Sequence, residues 1–114
     1  MKLPLTWIER LIKLGLLRRP DFLVQTVPEQ PFEHDTNPGM IYDEVRGGYR
    51  KWIHLRCPKC GEFIQLEAAG QRHSWTIKSD WLRRPTISPS IWETESCGAH
   101  FFVRKGRIVH CVDR

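Results

Sequence analysis

The sequence predicts a small, mainly β domain with an α-helix at its N-terminus, and three observations carry that expectation. The first is one amphipathic helical segment, confined to the start of the chain. The second is a train of short alternating segments separated by turn residues. The third is a set of four cysteines, two of them spaced C-x-x-C, in 114 residues. A chain this short buries a modest share of its surface and often needs a staple such as a metal ion. Hydrophobic residues make up 40% and charged residues 27%, which is globular composition and excludes disorder. Five tryptophans and five phenylalanines give a heavy aromatic load that one compact core could use.

Thr6 followed by Glu9 has capping-box spacing. Ile8, Leu11, Ile12 and Leu16 recur at helical spacing, and Trp7 and Leu14 widen the stripe. Arg18 and Arg19 suit the negative end of a helix, and Pro20 stops it. The expectation is an amphipathic helix within residues 1–20, leaving residues 21–114 as the β domain. The plainer role for it is docking on that domain, and the sharper one is contact with a partner or a membrane surface. It does not read as a signal peptide, because Glu9, Arg10 and Lys13 interrupt the apolar stretch and no small-residue cleavage site follows Leu17. Without export, four cysteines are read as reduced thiols or metal ligands in a cytoplasmic protein. No apolar run is long enough to span a membrane.

Residues 22–27 read as a strand, and the Pro- and Asp-rich stretch 28–39 as a loop. Strands are expected to resume at 40–42, to turn at Gly47-Gly48, and to run from 49 to 56 into Cys57. Residues 63–66, 75–77 and 86–92 are further strands. Residues 101–104 and 107–110 flank Lys105-Gly106 as a two-residue hairpin. In that hairpin, paired residue numbers sum to 211, which puts His100 opposite Cys111.

Cys57-Pro58-Lys59-Cys60-Gly61 can wrap one ion between two thiolates, with glycine allowing the tight bend. A redox C-x-x-C would open a helix in a βαβ unit, which this pattern lacks. Cys97 and Cys111 bring the count to four, so Cys57, Cys60, Cys97 and Cys111 are expected to form a closed Zn2+ site in a zinc-ribbon-like fold. A competing ligand set replaces Cys111 with His100, and the plainest reading is buried free thiols. The formal charge of +5 invites a nucleic-acid partner. Four thiolates on one divalent ion lower it to about +3, and the basic residues are scattered from Lys2 to Arg107.

In an extended chain Thr86, Ser88, Ser90 and Trp92 share one face, and Pro89 demands an edge or a bulge. A polar edge strand is the ordinary reading. Nucleophilic chemistry would need a base beside Ser88 or Ser90 and an acid to orient it. His54 and His100 flank the two cysteine clusters and either could serve, while His34, His73 and His110 have no special setting. Asp80, Glu93 and Glu95 are equal candidates for the acid.

The ordered motifs His54-Leu55-Arg56-Cys57-Pro58-Lys59-Cys60-Gly61, Thr86-Ile87-Ser88-Pro89-Ser90-Ile91 and Cys97-Gly98-Ala99-His100-Phe101-Phe102-Val103, with Gly106 and Cys111, are together distinctive. They resemble a bacterial domain-of-unknown-function family encoded in ubiquitin-like conjugation operons of antiphage (antiviral) defence. The resemblance spans about residues 20–114. It implies a zinc-containing serine peptidase or esterase that trims a ubiquitin-like precursor or removes the modifier from its conjugates. Ser90 or Ser88 would be the nucleophile and His54 or His100 the base. Zinc would be a scaffold, and the N-terminal helix and arginines would hold the modifier. Two other classes compete with this hydrolase. One is a metallohydrolase with an open metal position. The other is a zinc-ribbon module that binds nucleic acid or protein without catalysis, using tryptophans and basic residues.

Overall fold

The computed structural model describes residues 2–68, 74–94 and 96–111. Helix α1 spans Leu5–Lys13. Eight strands follow: β1 (Leu23–Val27), β2 (Met40–Arg46), β3 (Tyr49–Arg56), β4 (Phe63–Glu67), β5 (Thr76–Ser79), β6 (Pro85–Trp92), β7 (His100–Arg104) and β8 (Arg107–His110). They form two four-stranded sheets, ordered β1-β2-β3-β4 and β5-β6-β7-β8. The domain is mainly β with one N-terminal helix, as its patterning predicts. His73 and Glu95 lie outside the described residues.

All pairings are antiparallel except β1 with β2, which is parallel. Parallel neighbours need a crossover of about a dozen residues, and the loop at 28–39 is that crossover. The Gly47-Gly48 and Lys105-Gly106 turns have both central residues at positive φ, the geometry whose twist matches the strands it joins. In the β7–β8 hairpin Phe101 pairs with His110 and Arg104 with Arg107, so the expected register holds.

Helix α1 is shorter than its apolar stripe suggests. Pro4 occupies the cap position with no side-chain bond, which puts Thr6 inside the first turn, where it cannot cap. Gly15 at φ +75° ends the helix: its amide reaches Ile12 O and the Leu16 amide reaches Leu11 O, a Schellman closure. Glu9, freed from capping, pairs with Arg19 at 2.7 Å. Only Ile8 of the helix is fully buried, and Trp7, Leu14 and Leu16 face solvent. No described helix is long and apolar enough to cross a membrane.

Ile53, Leu55, Ile64 and Leu66 of the first sheet pack in one cluster with Ile77, Ile87, Ile91, Phe101 and Val103 of the second. Burying each such side chain contributes about 1.5–3 kcal/mol. The aromatic residues divide between the core, which takes Phe22 and Phe101, and the surface. Trp7, Trp52, Trp81 and Trp92 are exposed, and branched aliphatics fill the interior, since their shape suits facing pleated surfaces.

Gly106 is the tightest point of the chain. Its amide donates to Pro85 O, its carbonyl accepts from Phe22 N, and an added Cβ would stand 2.8 Å from both Phe22 O and Pro20 Cβ. Gly48 has the same handedness with open space around it. Gly48→Ala should therefore cost about 1–2 kcal/mol. Gly106→Ala should cost clearly more, read as midpoint shifts in urea denaturation.

Candidate active site

The register of β6 against β7 jumps between Ile87↔Val103 and Ile91↔Phe101. Four residues are traversed on β6 while two are traversed on β7, so residues 88–90 bulge from the ladder. Pro89, which has no amide to donate, sits in that bulge. The strict alternation expected for this strand is thereby broken: Ile87 and Ile91 are buried, while Pro89 is exposed with Ser88.

The bulge brings Ser90 Oγ to 2.8 Å from His100 Nε2. Trp92 faces His100 across the strand pair and stacks on its ring, with centroids 4.8 Å apart and planes 12° apart. The Trp75 indole N–H donates to the Ser90 carbonyl at 3.3 Å, and the Cys111 amide donates to the His100 carbonyl at 2.8 Å. Both members of the pair are thus held through backbone and ring. An imidazole nitrogen at this distance can take a hydroxyl proton as the oxygen attacks an acyl carbon. Ser88 is exposed, and its carbonyl accepts from Thr76 Oγ1 at 3.4 Å.

His54 is placed elsewhere. Its neighbours Ile53 and Leu55 face the core, so its ring emerges on the other face of β3. There it is fully buried, with Nε2 2.9 Å from Glu44 Oε1 and Nδ1 3.3 Å from Gln65 Nε2, and it stacks on Phe63. Glu44, itself 2% exposed, also pairs with Arg46 at 2.8 Å. Sequence reasoning missed Glu44. The one signal was a carboxylate two residues beyond Tyr42, the residue that pairs with His54.

Of the three acids considered, Asp80 accepts from the Arg84 guanidinium at 2.7 Å and from the Leu82 and Arg84 amides, which closes the β5–β6 turn. Glu93 accepts from the Ser96 hydroxyl at 2.6 Å. Glu95 lies outside the described residues.

Cys57, Cys60 and Cys97 offer sulfurs that lie within 4.8 Å of one another, with 3.5 Å between Cys57 and Cys97. Sulfurs on a tetrahedral ion with bonds of about 2.3 Å stand about 3.8 Å apart, so the three fit a single metal ion. Gly61, at φ +77°, turns the chain so that its amide returns to Cys57 O. The Ala99 amide leads in lowering the Cys97 thiol's pKa. The amide of Glu62 favours the Cys60 thiolate, yet the neighbouring Cys97 and Cys57 thiols and burial together leave Cys60 pushed up to about 11. Crowded thiols resist joint ionisation in this way until a cation compensates them. Cys111 follows β8 beside His100, and neither it nor His100 belongs to the three-thiol group.

The His54–Glu44 pair stands outside the serine site, so His54→Ala should behave as a stability variant. It leaves a buried carboxylate without its partner and should cost about 1–3 kcal/mol. Urea denaturation measures that cost, and the turnover of the folded fraction should stay within a few-fold of wild type.

A family model described as bacterial ubiquitination-like system serine protease matches residues 26–111, most of the chain and every residue of the arrangement above. No curated protein and no solved structure matches the chain. By that match, the chain belongs to the bacterial ubiquitination-like system serine protease family, BubE.

Proposed function

We propose that this protein is a hydrolase that processes or removes a bacterial ubiquitin-like protein, with Ser90 as nucleophile and His100 as base. The observation that carries the reading is the 2.8 Å contact between Ser90 Oγ and His100 Nε2 on a bulge that lifts the serine out of its ladder. The family description supports the reaction class and the system in which it acts. A substrate amide or ester carbonyl meets Ser90 Oγ as the hydroxyl proton passes to His100 Nε2. The imidazolium returns that proton to the leaving group, which leaves an acyl-serine. Water enters, gives a proton to His100, and releases the modifier's carboxylate. Trp92 holds the imidazole plane through both transfers. The setting is the bacterial cytoplasm and antiviral defence, and α1 with the surface arginines contributes to holding the modifier.

We assign the thiol cluster to Zn2+, held by Cys57, Cys60 and Cys97, with Cys111 completing the set. When bound, zinc supplies charge compensation for clustered thiolates and hence folding free energy. The protein's own chain does the positioning. Cys97 precedes His100 by one tight turn at Gly98, and the Cys111 amide bonds to the His100 carbonyl. Cysteine ligation on either side therefore anchors the strand that carries the base.

The test is cleavage of a ubiquitin-like precursor bearing a C-terminal extension. Ser90→Ala and His100→Ala should each lower the rate at least about a thousandfold, and the double variant should be no worse than either. Ser88→Ala should stay within a few-fold. Undiminished cleavage by Ser90→Ala overturns the assignment, and loss only in Ser88→Ala moves the nucleophile. For the metal, elemental analysis should find one zinc per chain. Cys57→Ser should abolish it and lower the melting temperature, whereas Cys111→Ser should weaken retention against a chelator.

A further inference from the structure

Beside the serine–histidine pair lies a groove of about 440 Å³ between β4 and the chain that follows Ser90. Every residue from 62 to 66 lines one wall. Side chains of a strand alternate between faces, so a wall of consecutive residues is the strand's edge. β4 is the outer strand of its sheet. The ladder parity settles which backbone groups face outward. Cys57 N donates to Glu62 O, and Ala68 N donates to Lys51 O. The even-numbered residues of β4 are therefore the ones that bond to β3. Phe63, Gln65 and Glu67 turn their amides and carbonyls to the open side. Glu67 O is already taken by Trp75 N at 2.9 Å, which closes that end. Among the described residues, no backbone partner bonds to the outward groups of Phe63 and Gln65.

The far wall comprises Ile91, Trp92 and the turn that follows, with Trp75 reaching across. Trp75 Nε1 bonds to Ser90 O, and Trp92 stacks on His100. Two residues of the groove wall, Trp75 and Trp92, are thus in direct contact with the serine backbone and the histidine ring. Glu62 and Glu93 also line the groove, and among the described residues no lysine or arginine lines it, although the chain carries a formal charge of +5.

We propose that this groove binds the extended peptide segment that precedes the scissile bond, paired to the Phe63–Gln65 edge as an added strand, with a lysine or arginine of that segment set against Glu62 and Glu93. The inference rests on the hydrolase reading above. Outward amide and carbonyl groups on one strand edge match the alternating backbone groups of an extended chain. The segment before the bond stays attached to the enzyme through the acyl-serine, so holding it there serves both chemical steps. The span from Glu62 to the Trp75 end is four strand residues at about 3.3 Å each. The basic residue therefore lies about three or four positions before the cleaved bond.

Fluorescein-labelled hexapeptides of alternating Thr and Val ending in Ala, with Lys or Glu placed at each position in turn, are the probes, and zinc-loaded Ser90→Ala protein is the binder. One Lys peptide should bind about tenfold tighter than its Glu counterpart. Glu62→Lys, an exposed substitution, should reverse that order. N-methylation of the best peptide should weaken binding about tenfold at alternate amides and little at those between. Precursor cleavage by wild type is measured in parallel. Cleavage lost in Ser90→Ala, with peptide binding absent or indifferent to amide parity and to Glu62, overturns the groove and leaves the hydrolase standing. Alternating, Glu62-dependent binding without cleavage by wild type keeps the groove as a peptide site and removes the hydrolase. Failure of both measurements removes both.

Discussion

Cys57 follows β3 of the first sheet and Cys97 leads into β7 of the second, and their sulfurs stand 3.5 Å apart. Nearly all backbone pairing lies within one sheet or the other. What holds the two together is burial of aliphatic side chains, a few backbone hydrogen bonds such as Val24 N to Arg83 O and Trp75 N to Glu67 O, and this meeting of cysteines from both sides. Burial fixes how close the sheets come, and much less how they are rotated or slid against each other. A cation bound by thiolates from both sheets would limit that freedom, because tetrahedral geometry tolerates little displacement. The Ser90–His100 pair lies within the second sheet, and the groove beside it lies between the sheets. A metal ion at the cysteine cluster would therefore bear on the width of the groove more than on the integrity of the pair.

The local device at Ser90 is of another kind. A proline in the interior of a strand order forfeits a ladder bond, and the chain accommodates it with a bulge. The cost is confined to three residues and is offset by Ile87 and Ile91, buried on either side. A serine in regular register would point along the sheet normal with its neighbours. One released by a bulge can instead meet the ring of His100, which an adjacent indole holds flat.

Much of this was legible in the residues. The β7–β8 hairpin was readable because Lys105-Gly106 admits one register, and β3 because Gly47-Gly48 and Cys57 bound it. Cys57 and Cys60 were readable because two residues between thiols is a spacing with one common geometry. What resisted reading depended on long-range placement. His54 and His100 are equivalent in sequence, each near a cysteine. They part because β3 turns His54 away from the core toward Glu44, whereas β7 carries His100 along the strand that faces Ser90. The end of α1 was misjudged because the apolar stripe runs on through Leu16 while Gly15 reverses the backbone. Which aromatic residues are buried was not legible, because composition carries no information about which face a residue occupies.

The family match begins at residue 26, inside β1. Yet Phe22 and Val24 belong to the buried cluster, the Phe22 amide bonds to Gly106, and Val24 N bonds to Arg83 O. The boundary of recognisable similarity therefore cuts through a strand that the fold treats as indivisible. Residues ahead of that boundary are part of the packed structure all the same. They fill volume and satisfy backbone groups on both sheets. Excising the matched segment alone would strip the parallel edge from the first sheet and uncover Ile41, so the cooperative unit is larger than the heritable signature.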